Sequence, residues 1–133
     1  IKNKPVFATG IGNVFTPIKF SLRGYFLVLI KPDIHVSTPE ASSLVIPEKP
    51  EISLLEIIQK PLSEWNMFMK NDFEKSVFAT YPTIENIKSQ LYDMGAIYAS
   101  MSGSGSSVFG IFESEPERTD AFADCFVAGG MLE

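Results

Sequence analysis

The chain is short of the residues that build the most familiar sites. Its 133 residues include one cysteine, Cys125, and one histidine, His35. A single cysteine excludes an intrachain disulfide framework and agrees with a reducing compartment, the cytoplasm. A single histidine excludes a multi-histidine metal centre. Positive charge is scarce as well: 11 Lys and Arg stand against 16 Asp and Glu, a net charge of −5. Nothing basic is clustered, which argues against a nucleic-acid partner. No apolar run approaches the roughly 20 residues of a membrane-spanning helix. The opening residues lack a basic region followed by an apolar core, the form of a signal peptide. They also lack an initiating Met: Ile1-Lys2-Asn3-Lys4 reads as the interior of a longer protein, so a fragment is expected. No internal repeat and no low-complexity segment is present.

What remains is an ordinary globular composition, 45% hydrophobic and 20% charged, of one-domain length. Ala8-Thr9-Gly10-Ile11-Gly12-Asn13 predicts a turn or bulge between short strands. Ile18, Phe20 and Leu22 alternate with polar residues and predict an edge strand. Tyr25 to Ile30 is apolar on both faces and predicts a central strand. Thr38 before Pro39 predicts a capped helix over 39–45. A second short helix is predicted over 51–59, with Ile52, Leu55 and Ile58 on one face. Pro61 opens a third, carrying Leu62, Trp65 and Phe68. Asn71 and Glu74 have the form of a capping box for a fourth, with Phe73, Val77 and Phe78 continuing its apolar face. Pro82 starts a fifth, on which Ile84, Ile87, Leu91 and Met94 recur at helical spacing and Gly95 is the stop. Two strands follow, 96–101 and 107–112. Ser114 to Glu117 predicts a last helix to about Asp124, burying Ala121 and Phe122, and 126–132 predicts a last strand weakened by Gly129-Gly130. The order is a split βαβ pattern: an α+β, ferredoxin-like fold with an antiparallel sheet of about four strands, helices on one face and extra helices in the first crossover.

Between the two paired strands lies Met101-Ser102-Gly103-Ser104-Gly105-Ser106-Ser107. Ser102, Ser104 and Ser106 offer hydroxyls, and Gly103 and Gly105 let backbone N–H groups approach a ligand closely. A phosphate is the natural guest. A tight hairpin turn is the plainer reading. The loop lacks the lysine of a Walker loop.

The other candidates are isolated. His35 follows the central strand, where a backbone hydrogen bond is a better reading than a general base; Asp33 is as isolated. No Ser-His-Asp set is evident. Asp72 and Glu74 read as helix capping rather than a metal or acid pair. Cys125 reads as a buried small hydrophobe. Met67 and Met69, with Trp65 and Phe68, read as core or interface filling.

The stretch Met101 to Phe112 resembles the C-terminal glycine-rich motif of the GHMP kinases. Phe7 to Gly12, Leu27 to Pro32, Val36 to Ala41 and Asn71 to Glu74 come in the order seen in the diphosphocytidyl-methylerythritol kinases of that superfamily. The resemblance covers the whole chain. It implies transfer of the γ-phosphate of ATP, with Mg, to a hydroxyl of diphosphocytidyl-methylerythritol, in a cleft between two domains of a cytoplasmic enzyme. It assigns residues 25–133 to the C-terminal domain and 1–24 to a residual segment of the N-terminal domain and linker. The main ATP loop and the catalytic lysine and aspartate belong to that N-terminal domain, so no catalytic residue is expected in this chain. Neither bound cofactor nor activity is expected of it alone. The loop from Ser102 to Ser106 would face the transferring phosphate, and Thr38 would lie on the substrate side. Ser42 departs from the pattern, since members often carry there an aromatic that can stack on cytosine. Two other readings stand beside this one: a homoserine- or mevalonate-kinase type, and a non-catalytic ferredoxin-like anion-binding module.

Overall fold

A computed structural model describes residues 3–117 and 120–133. Two sheets form. β1 (Val6–Thr9) and β2 (Val14–Pro17) pair as an isolated antiparallel hairpin, turned by the expected glycine stretch. The main sheet contains β3 (Phe26–Pro32), β4 (Tyr98–Met101), β5 (Val108–Phe112) and β6 (Cys125–Met131). Their spatial order is β4-β5-β3-β6, antiparallel throughout. That is the ferredoxin-like order expected of a split βαβ chain. β3 is central, as its two-sided apolar run requires.

Alternation along the strands divides the core in two. Phe26, Val28, Ile30, Ala99, Met101, Val108 and Phe112 face one side. There they meet α4 (Glu74–Thr80) and α5 (Pro82–Asp93) through Val77, Ile84, Ile87 and Leu91. Ile84 and Leu91 are fully buried, and each such side chain contributes about 1.5–3 kcal/mol by burial. α5 ends as the sequence predicts. Gly95 has φ +102°, its N–H bonds to Tyr92 O, and Ala96 N bonds to Leu91 O, a Schellman stop.

The expectation of helices on one face holds only for α4 and α5. Tyr98, Ile111, Phe109 and Leu27 point to the other side. They are covered by α2 (Leu54–Ile57), a 3₁₀ turn (Leu62–Glu64) and α3 (Trp65–Phe68). Trp65 stacks edge-on to Tyr98 at 5.6 Å, and its Nε1 donates to Lys60 O at 3.1 Å. The reason is visible in β4 and β5, whose apolar residues occupy both faces and so demand cover on both.

Three further expectations change. Residues 18–22 form no strand; Phe20 and Leu22 pack on the second cluster as irregular chain. α2 is shorter than 51–59, since Ser53 caps it by accepting from Glu56 N, and it buries Ile57 while Leu55 is exposed. The helix expected over 115–124 is not seen among the described residues, and its middle, residues 118 and 119, lies outside them. Phe122 is nevertheless buried, 4% exposed. Cys125 therefore starts β6 half-buried instead of ending a helix. Gly129 does not weaken β6 idly: a Cβ there would meet the Phe26 ring at 3.1 Å.

Candidate functional site

The Gly/Ser loop connects β4 to β5, and the adjoining strand ends are held by the sheet. Ser102 N donates to Ser107 O at 2.8 Å, and Gly105 N donates to Ser102 O at 3.0 Å, closing a four-residue turn. Gly103 and Gly105 have φ of +55° and +93°, which glycine adopts without the Cβ penalty. A Cβ on Gly103 would meet nothing within 4 Å, so that side of the turn is open. One on Gly105 would meet Sδ of buried Met101 at 2.9 Å, so that side is packed. The amides of Gly103, Ser104 and Ser106 donate to no acceptor among the described residues. Ser102 is exposed, while Ser106 is buried with its Oγ unpartnered.

Thr38 lies 66 residues away in sequence, and the fold brings it to this loop. α1 spans Thr38–Ser43. Its N-cap is Ser37, not Thr38 as the sequence suggested: Ser37 is extended (φ −76°, ψ 137°) and its Oγ accepts from Glu40 N at 3.3 Å. Relieved of capping, the Thr38 hydroxyl bonds to Ser104 Oγ at 3.1 Å. α1 is anchored by buried Ala41 and by Tyr81, whose hydroxyl donates to Glu40 Oε1 at 3.3 Å. The Glu40 carboxylate holds the Tyr81 phenol above its usual range. Ser42 is exposed on the same short helix.

The Asn71–Glu74 stretch also reaches the loop, and the capping-box reading gives way. Asn71 Oδ1 accepts from Phe73 N at 3.0 Å, a local turn. Asn71 Nδ2 donates to Met101 O and to Gly103 O, both at 2.8 Å. Glu74 Oε1 accepts from Met101 N at 2.9 Å and from Ser100 Oγ at 3.2 Å, and Oε2 pairs with Lys88 at 2.6 Å. Both side chains serve the strand and loop across from them, leaving α4 without a side-chain cap. The N-D-F-E spacing marks the position; only tertiary contact shows the partner.

The remaining candidates stay apart. His35 is exposed and hydrogen-bonds to no described residue, so the backbone-partner reading does not hold. Asp72 is exposed and joins no cluster. Among the described residues no three of His, Cys, Asp or Glu gather as a metal site. What the loop does offer is chemistry for an anion: amides without a described acceptor, the Thr38–Ser104 hydroxyl pair and an open glycine.

A ferredoxin-like domain with such a loop between its paired strands defines a class: an α+β domain with a glycine- and serine-rich turn joining two strands of its sheet. The chain belongs to the GHMP kinase family, whose C-terminal domain profile, GHMP kinases C terminal, matches residues 54–125. It is 58% identical over 134 residues to the 4-diphosphocytidyl-2-C-methyl-D-erythritol kinase of Parabacteroides distasonis, covering 99% of this chain and 49% of that protein. It is 62% identical over 119 residues to the kinase of that name in Bacteroides fragilis, covering 90% and 43%. The chain thus spans about half the length of the curated relatives it matches. Among solved structures, a 4-(cytidine 5'-diphospho)-2C-methyl-D-erythritol kinase superposes with a TM-score of 0.74 at 23% identity, over 96% of this chain and 49% of that one. The homoserine kinase of Cytophaga hutchinsonii superposes with a TM-score of 0.60 at 17% identity, over 96% and 48%. Those two likenesses show the shared fold.

Proposed function

We propose that this chain is the C-terminal half of a cytoplasmic kinase that moves the γ-phosphate of ATP to the 2-hydroxyl of 4-diphosphocytidyl-2-C-methyl-D-erythritol, a step towards isoprenoid precursors. The observation that carries this reading is the 58% identity to a kinase of that name across 99% of the chain. The geometry agrees with it. Phosphoryl transfer asks for in-line positioning and charge stabilisation more than covalent chemistry. Within Ser102 to Ser106 the amides of Gly103, Ser104 and Ser106 are free of described acceptors, and the open space beside Gly103 is where the transferring phosphate would lie. Thr38, bonded to Ser104, lines the acceptor side. Residues 25–133 are the domain that carries this wall. Residues 1–24, with the hairpin paired apart from the main sheet, go with the other half of the enzyme.

The test is acceptor choice by the whole protein. With ATP, phosphate should appear on diphosphocytidyl-methylerythritol and not on homoserine or mevalonate. Transfer to either of the latter, or none to the first, overturns the reading. The 133-residue chain alone should show no turnover.

A further inference from the structure

We infer that Asn71 is a positioning residue for phosphate transfer: it aims the Ser104 amide outward by holding the carbonyl of the peptide that carries it. This role rests on the kinase reading above. An asparagine side chain has two N–H donors and one carbonyl acceptor. Here both bonds from Nδ2 go to the loop, to Met101 O and Gly103 O at 2.8 Å, and the acceptor is spent on Phe73 N. A trans peptide is planar, with its C=O and the next residue's N–H pointing opposite ways. With Gly103 O held by Asn71, the Ser104 N–H must point away from Asn71. With Met101 O held, the Ser102 N–H points across to Ser107 O, the bond observed at 2.8 Å. Without that clamp, a turn built on Gly103 has freedom to rotate its peptides. Thr38 holds the outer side of the same residue through Ser104 Oγ. Ser104 is thus fixed from two elements distant in sequence, and Asn71 supplies the inner hold.

Asn71→Asp separates the two jobs of this side chain. The carboxylate keeps an acceptor for Phe73 N, so the entry to α4 is retained. It sets lone pairs against two carbonyl oxygens at 2.8 Å, so the loop is repelled. In the whole protein, kcat should fall about 10- to 100-fold, the scale of an ångström-sized misplacement. KM for the cytidyl acceptor should stay within about threefold, because Asn71 does not touch that side. Amide exchange at Ser102 and Gly105, both bonded within the loop, should quicken by about tenfold or more, while Val77 in α4 keeps its protection. Turnover unchanged within about twofold in an active protein, or unchanged loop exchange, overturns the positioning role. Quickened exchange that includes Val77 equally also overturns it, since that reports general loosening. A wild-type protein inactive on the cytidyl acceptor instead overturns the kinase reading. Should Asn71→Asp not fold, Asn71→Ser decides by the same readouts: its hydroxyl can accept from Phe73 N but reaches neither carbonyl.

Discussion

Gly103 and Gly105 sit two residues apart in one turn, and replacing each by alanine should give opposite patterns of damage. At Gly103 the backbone lies at φ +55°, in the left-handed helical region, and a methyl group meets nothing within 4 Å. The cost is conformational, about 1–2 kcal/mol. In a protein about twice this length, as the relatives are, that lowers Tm by about 2–8 °C. At Gly105 the backbone lies at φ +93°, and the new Cβ stands 2.9 Å from Sδ of Met101, itself only 2% exposed. Overpacking adds about 1–3 kcal/mol to the backbone strain. Gly105→Ala should therefore cost about 2–5 kcal/mol. Activity should not follow stability. The methyl on Gly103 fills the open side of the turn, where the phosphate would sit, so turnover should fall about tenfold or more in a protein that remains folded. Thermal unfolding and steady-state kinetics of the whole protein check both halves. A Gly103→Ala variant with wild-type turnover, or one less stable than Gly105→Ala, would refute the assignment of open and packed sides.

Glu74→Ala strips partners from Met101 N, Ser100 Oγ and Lys88 together. Urea unfolding should show a loss of about 2–4 kcal/mol, and a loss below about 0.5 would remove Glu74 from the account of how β4 is held. Burial pushes the Tyr98 phenol above its ordinary value of 10.0. The folded state then holds this proton more tightly than the unfolded chain does, so stability falls as pH rises above 10.0 towards the raised value. Tyr98→Phe should abolish that part of the alkaline loss. It should cost about 1 kcal/mol or less at neutral pH, since the Tyr98 hydroxyl's bond to Met69 O is long at 3.4 Å. An alkaline stability profile identical in the two proteins would assign the loss elsewhere.

The elements with strong periodicity were legible. α5 carries Ile84, Ile87 and Leu91 on the face that the spacing assigns, and β3 is central because neither of its faces is polar. The weaker patterns misled where tertiary contact outvoted local preference. The alternation of Ile18, Phe20 and Leu22 lacks a partner edge, so those side chains pack without a ladder. Cover on the second face was implicit in Tyr98, Phe109 and Ile111, all apolar on the side opposite α5. Of the candidate site, the loop was marked by local chemistry and Thr38 only by the family resemblance; their contact spans 66 residues and no spacing rule reaches that far. Ser37 and Thr38 are both competent caps in sequence; only the backbone shows that Ser37 takes the role and frees Thr38. Asn71 and Glu74 fit a capping box so well that their long-range partners were hidden behind a local explanation.

On the proposed function, the loop from Ser102 to Ser106 faces the phosphates of ATP, and titrating a non-hydrolysable ATP analogue into the whole protein while following backbone amide shifts tests this directly. The amides of Gly103, Ser104 and Ser106 have no described acceptor and should move with saturation, while Gly105, bonded to Ser102 O, moves less. Saturating nucleotide binding that leaves all three free amides unmoved would contradict the account.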